Sequence, residues 1–379
     1  MNQVLGLRIL SQIMKWDDER ARHEFEWLRW MARWKYDGYQ DFLAGVRFIE
    51  SLAAWLQQFS LQERETAYNL VRKNLLYICA PTMQRLVEIF YPRIIEHRLM
   101  TIVGAKLGIP KYKIWADPEA TKLFECLRRK TLFMALSDGA RIDDLRHANV
   151  DILSNEQLVI ATQIDKDKWN DILKSLRKDL KDQTAQFAIV VLVDDFMATG
   201  TSFLRFVEKD KEWKGKLARF NDSVKSLKNY DIKPFEPNAH LCVHHYVSSY
   251  DATISVQNRI NEIKKEKLLN EFFDNVHLSY GIVLPQDLPI DKCPAANAGT
   301  IDLANKYYDP IIRTEHTDIG GVAHLGLGYG GCALPLVLEH NTPNNSIALL
   351  WAETDGGMRE GGIDAPAMRP LFRRRQRHS

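Results

Sequence analysis

Two regimes of hydrophobic spacing divide the chain. Between about residues 17 and 100, apolar side chains recur at helical intervals: Trp27, Trp30 and Trp34 at i, i+3 and i+7, then Leu43, Val46 and Ala53 with Leu56 close by. Such spacing lays one apolar stripe along each segment, and the tryptophans read as a packing stripe in preference to a platform for stacked bases. Ser60-Leu-Gln-Glu63 has the form of a capping box, which predicts a helix running to about residue 78. Glycine and proline are scarce here, with Gly6, Gly38, Gly45 and Pro81 before Pro92, so this part is expected to be a helical module at 1–100.

Beyond about residue 100 the spacing shortens into apolar runs separated by polar, helix-like stretches. Strands alternating with crossover helices in a parallel sheet give that pattern, so the fold class is α/β. Strands are predicted at 132–136, 157–161, 189–194, 240–247, 276–284, 334–338 and 346–351. Right-handed crossovers would set their C-terminal ends along one rim. The α/β domain is expected over 101–355, followed at 356–379 by a glycine-rich, loosely held basic tail. Its Arg373, Arg374, Arg375 and Arg377 either keep a frayed end solvated or touch a nucleic acid.

Composition narrows this only a little. With 379 residues and 45% hydrophobic content the chain has ample material for a core, and 51 basic against 49 acidic residues leave no global reason for polyanion binding. The five cysteines, Cys79, Cys126, Cys242, Cys293 and Cys332, are odd in number and never in a CxxC pair, against both a disulfide framework and a zinc ribbon. A reducing cytoplasm is therefore the expected compartment. No run approaches the roughly 18 uncharged apolar residues that span a bilayer, so no membrane association is expected.

Candidate chemistry concentrates in IVVLVDDFMATGTSFLRF, residues 189–206. A strand ending on the rim, followed by a helix start, presents unpaired amides to an anion. Thr199, Thr201 and Ser202 add hydroxyl donors, and Gly200 lets backbone wrap a phosphate with no Cβ in the way. Asp194 and Asp195 are suited to accept hydrogen bonds from a vicinal diol. One ligand meets both demands, a ribose carrying a 5'-phosphate; an Asp-rich turn into a Thr/Ser-capped helix with no ligand is the plainer alternative.

The pattern DDxxxTGxS behind an aliphatic strand resembles the phosphoribosyl-diphosphate (PRPP) motif of the type I phosphoribosyltransferases. The resemblance implies that Asp194 and Asp195 contact the ribose hydroxyls and that Ala198, Thr199, Gly200, Thr201 and Ser202 cradle the 5'-phosphate. Serine stands at the last position, where the family more often has threonine. That family also needs a pyrophosphate loop after an earlier strand, and Ser137, Asp138, Gly139 and Ala140, with Arg141 behind them, have the right order. Small residues there expose amides and Arg141 is suited to pair with pyrophosphate oxygens, although an Asp-Gly turn into an amphipathic helix reads the same way. Asp138 is the candidate for assisting Mg2+ through water.

A third stretch, LPLVLEHNTPNNSIALLW at 334–351, separates two apolar runs by an Asn-Thr-Pro-Asn-Asn turn. Together with SDGARID, the DDxxxTG loop and AAWLQQFSLQERETAYNLVRKNLLYICAPTMQRLVE, it looks like the phosphoribosyltransferase-like proteins of bacterial conflict systems, a divergent branch of effectors beside retron reverse transcriptases and other anti-phage modules. By that resemblance Asn341, Asn344 and Asn345 line the substrate side. The implied activity is transfer or hydrolysis of the phosphoribosyl group of PRPP with Mg2+, in a toxic effector restrained by a reverse transcriptase and its noncoding RNA or DNA. The alternative is a non-catalytic PRPP or nucleotide sensor that assembles with that complex. No proton-transfer group stands out, His147 and His277 being the nominal choices. His244 and His245 near Cys242 alternate along a strand, which disfavours a metal site.

Overall fold

The computed structural model describes residues 3–265 and 273–374. The chain packs as two compact units, Met83–Leu284 and, separately, Met1–Thr82 together with Pro285–Ser379. No helix among the described residues is long and apolar enough to cross a membrane.

Unit Met83–Leu284 is built on five parallel strands: β1 (Thr131–Ala135), β2 (Leu158–Val159), β3 (Phe187–Met197), β4 (Phe235–Ser248) and β5 (Phe273–Val283). Their spatial order is β2-β1-β3-β4-β5, so the winding direction reverses between β1 and β3. Both faces are covered, which is why β3 reads as an unbroken apolar run. Alternation sends Val190 and Leu192, with Leu132, Met134, Leu241 and Val243, into one core. Trp169 of α2 (Lys166–Leu180), Phe220 of α3 (Lys216–Ser226) and Val256 of α4 (Tyr250–Lys265) complete that layer. On the opposite face Phe90 meets Phe133, His244 and Tyr246. A shorter helix, α1 (Ile142–Ala148), follows β1.

Four predicted strands, at 132–136, 189–194, 240–247 and 276–284, coincide with β1, β3, β4 and β5, while the one at 157–161 shrinks to β2. The other two do not join this sheet. Leu336–Leu338 pairs in parallel with Leu76–Ile78 in the other unit, which ends the helix expected to reach residue 78. The run predicted as a strand at 346–351 is the short helix Ala348–Trp351. Ile347 through Leu350 are buried, and a short apolar run hidden on all sides carries no period to separate strand from helix.

The second unit has a core that joins distant parts of the chain: Phe48, Leu52, Trp55 and Tyr77 from the amino-terminal part, Leu349, Leu350, Leu371 and Phe372 from the other end. Trp55 Nε1 donates to Leu349 O at 2.7 Å. Within the stretch expected to be a loosely held tail at 356–379, Leu371 and Phe372 are held by this packing, Phe372 stacking on Phe42 and Phe48. Arg373 pairs with Glu353 and Arg374 lies over the Trp351 ring; Arg375 and Arg377 lie outside the described residues.

The tryptophan stripe is reversed. In the helix Asp18–Trp34 the buried positions are Ala21, Glu24, Leu28 and Ala32, which follow one another at helical spacing. Trp30, two residues past Leu28, therefore points away from the core; Trp30 and Trp34 are 59% and 65% exposed. Trp27 lies between the two faces, edge-on to Tyr36 and under the Arg72 guanidinium.

Candidate functional site

The loops after β1 and β3 leave the sheet at the point where its order reverses. Neighbouring crossovers part to opposite faces at such a reversal, and open α/β folds bind ligands in the crevice this creates. The two loops that the sequence singled out are those that meet there. Ser137 Oγ donates to Asp194 Oδ1. Gly139 lies so close to Asp195 that a Cβ at residue 139 would clash with the carboxylate.

The paired acids have different surroundings, since consecutive residues of a strand point to opposite faces. Asp194 is 2% exposed and forms an ion pair with Lys216 Nζ. Burial pushes its carboxyl up, to about 6, with the like charge of Asp195 adding to the rise and Lys216 and Ser137 opposing it. Asp195 is half-buried, and its Oδ1 accepts from Phe196 N at 2.8 Å.

The segment 198–202 is not the helix start that was expected. Phe203 N and Leu204 N both donate to Gly200 O, closing a single turn, after which the chain leaves into the hairpin Arg205–Val207 and Glu212–Lys214. It then resumes as α3, whose first amides, Lys216 N and Leu217 N, bond back to Ser202 O and Phe203 O at 3.0 Å. The hairpin is thus inserted between the loop and its helix, and Lys216, the first residue of that helix, reaches back to Asp194.

Every carbonyl of the loop is occupied. Ala198 O accepts from Ser249 Oγ at 2.6 Å, Thr199 O from Arg259 Nη1 at 3.1 Å and Thr201 O from Arg205 Nη1 at 3.1 Å. Gly200 O and Ser202 O take the backbone bonds already described. By contrast, no acceptor among the described residues takes the amides of Thr199, Gly200 or Ser202. Thr199 and Thr201 share a hydroxyl contact of 2.9 Å. A loop with its negative dipole ends tied down and three amide protons unclaimed among the described residues is electrostatically prepared for an anion, while Thr201 N donates to Thr199 Oγ1 at 3.3 Å. Gly200 has φ +71°, and a Cβ there would strike Val256 of α4.

In the first loop, Asp138–Ala140 forms one 3-10 turn and Arg141 sits at φ 52°. Its Nη1 lies 3.1 Å from Asp144 Oδ2, an ion pair within the loop and α1. Asp138 is exposed, and no group of three or more His, Cys, Asp or Glu among the described residues could hold a metal ion. Asn341, Asn344 and Asn345 belong to the other unit, where Asn345 Nδ2 donates to Tyr329 O at 3.1 Å and Asn344 O accepts from Tyr329 N at 2.7 Å. His147 faces solvent on α1, and His277 is level with Cys242 in the body of the sheet, away from its rim.

Three residues of this neighbourhood, Lys216, Ser249 and Arg259, escaped sequence reasoning, while His245 stood out in the sequence only beside Cys242, where a metal site was disfavoured. His245 is the register partner of Asp194 on β4, buried, and neither ring nitrogen has a hydrogen-bond partner among the described residues. Burial and the Lys216 charge hold it far below the usual range, at about 3, so it is neutral near pH 7. Lys216, Ser249 and Arg259 carry no local signal, because each is brought in by a crossover.

Sheet order, the loops at its reversal and the tied carbonyls of residues 198–202 together describe a phosphoribosyltransferase-like α/β domain. The PRTase-CE family model matches residues 52–374, and the chain belongs to that family. No curated protein and no solved structure matches it. The matched region begins inside the amino-terminal helices and runs through Phe372, so it draws on both compact units.

Proposed function

We propose that the chain binds PRPP at the rim between β1 and β3 and transfers or hydrolyses its phosphoribosyl group. The observation that carries this reading is the loop 198–202, with all five carbonyls bonded and three amides unclaimed among the described residues, next to two carboxylates. In this reading the loop seats the 5'-phosphate and Asp195 accepts from the ribose hydroxyls. Asp194 joins it once Lys216 gives way. Ser137, Asp138, Gly139 and Ala140 offer their turn to the pyrophosphate, with Arg141 released from Asp144 to neutralise it. The carboxylates present suit Mg2+ only as a sparsely held ion, and such an ion keeps waters and substrate phosphates as its main ligands. When bound it would spread the charge of the departing pyrophosphate. Displacement at the anomeric carbon would then depend on positioning and electrostatics.

A second reading, a sensor that binds without turnover, is favoured by one feature. Asp194 is already engaged on both oxygens, by Ser137 and Lys216. The resemblance to conflict-system effectors extends either reading to an anti-phage role beside a reverse transcriptase and its noncoding nucleic acid, with the Asn341 turn on the substrate side.

Incubation of the purified chain with PRPP and Mg2+ is expected to release pyrophosphate when the acceptor is supplied from nucleobases, nucleic acid or lysate. Binding without release under every condition would leave the sensor; absence of binding would end both. The Asp194 carboxyl also predicts a pH dependence. Its folded value lies above the ordinary one, so the acceptor form is complete above about pH 7 and is lost as pH falls through about 6. PRPP affinity, followed by calorimetry, should hold steady from pH 8 to 7 and weaken roughly tenfold per unit well below 6. A flat profile down to pH 5 would remove Asp194 from the contact.

A further inference from the structure

The amino-terminal unit presents an aromatic and basic face that its own fold does not use. Along the exposed side of the helix Asp18–Trp34, residues 22, 26, 29, 30, 33 and 34 succeed one another at helical spacing. Trp30 and Trp34 are its exposed large hydrophobic side chains, and their rings lie stacked, 6.1 Å apart and 12° from parallel. The Arg33 guanidinium stands 5.5 Å from the Trp34 ring centroid. Glu26, Arg29, Trp30 and Arg33 line an open cleft of about 280 Å³.

Leaving two indoles in water is unfavourable, and stacking them on each other shields only one face of each. The chemistry around them is complementary to one class of partner. Flat π-surfaces take the faces of unpaired bases, three arginines against two glutamates, Glu19 and Glu26, along the same side attract a phosphate backbone, and Glu26 can accept from an exocyclic amine. A lipid surface fits less well, because an interfacial helix needs an uninterrupted apolar face and here charged side chains alternate with the rings. We propose that this face binds single-stranded nucleic acid, with bases stacked on Trp30 and Trp34 and phosphates paired to Arg29 and Arg33. The inference is independent of the PRPP reading, since the face and the sugar site lie in different compact units and use no common residue.

The test is fluorescence anisotropy of the full chain with labelled oligothymidine and a labelled RNA single strand, against a duplex of equal length. Wild type is expected to bind single strands more tightly than the duplex, with quenching of indole emission. Trp30→Ala with Trp34→Ala should weaken binding tenfold to a hundredfold or more, on the order expected for losing one or two stacked bases. Arg29→Gln with Arg33→Gln should lower the salt slope by about 1.4, two single-strand phosphate contacts. All four side chains are exposed, so an unchanged unfolding midpoint confirms that the variants fold. The proposal is overturned by equal affinity for duplex, by binding insensitive to both double variants, or by no binding at low salt. It is likewise overturned if the tryptophans are instead required for co-sedimentation with phosphatidylcholine–phosphatidylserine vesicles.

Discussion

Asp195→Asn is expected to weaken binding of PRPP with Mg2+ by roughly tenfold to a hundredfold while leaving the unfolding midpoint near that of wild type. A charge-assisted hydrogen bond contributes about 1.5–3 kcal/mol, and Asn keeps the shape of the side chain while losing its charge. Asp194→Asn should behave differently. Asp194 is 2% exposed and paired with Lys216, so neutralising it leaves an ammonium in a largely buried place without its counter-charge. Breaking such a pair from one side costs about 3–5 kcal/mol, and the variant should lose both stability and ligand. Adding Lys216→Met to Asp194→Asn removes the stranded charge and should restore much of the stability without restoring binding. Calorimetry and chemical denaturation on the same preparations separate these outcomes. If the two single variants behave alike, the division of labour between the acids is wrong.

The second large effect lies one turn further along. Gly200→Val should destabilise the fold by about 2–5 kcal/mol, the sum of about 1–2 for a left-handed backbone and about 1–3 for forcing a side chain into packed space. The backbone there has φ +71°, and the new Cβ would meet Val256, whose branched side chain on α4 has little room to yield. Gly321 provides the control, with φ +74° and nothing within 4 Å of its virtual Cβ. Gly321→Val should show only the backbone part. Equal losses at the two positions in urea denaturation would mean that loop and α4 are not in firm contact. Because Arg259 on the same helix holds Thr199 O and Leu204 O, any shift of α4 is expected to reach the loop 198–202 as well.

Much of the candidate site was legible because its parts are local. A buried strand, two acids and a glycine between hydroxyl residues stand within one stretch of chain, and backbone geometry alone puts them at the end of β3. The same holds for Ser137 to Arg141 behind β1. The helix expected at Thr199 was misplaced for a specific reason. The hairpin 205–214 interrupts it, and the bond that resumes the helix, Lys216 N to Ser202 O, spans fourteen positions that no helical period encodes. The tryptophan stripe misled for another reason. Residues 27, 30 and 34 share a helical spacing, but so do 21, 24, 28 and 32, and only packing against other segments decides which stripe is buried.

Sequence by itself determined the α/β character of the central region, the place of all five sheet strands, with β2 drawn too long, and the two loops that carry the candidate chemistry, since each rests on side-chain spacing within one element. Tertiary structure alone decided the rest: the β2-β1-β3-β4-β5 order that sets those loops side by side, the arrival of Lys216, Ser249, Arg259 and His245 around them, and the joining of Trp55 to Leu349 and Phe42 to Phe372 in one core. Spacing along a chain reports which face of an element is apolar. It does not report what covers that face, because burial depends on segments whose separation in sequence no local pattern records.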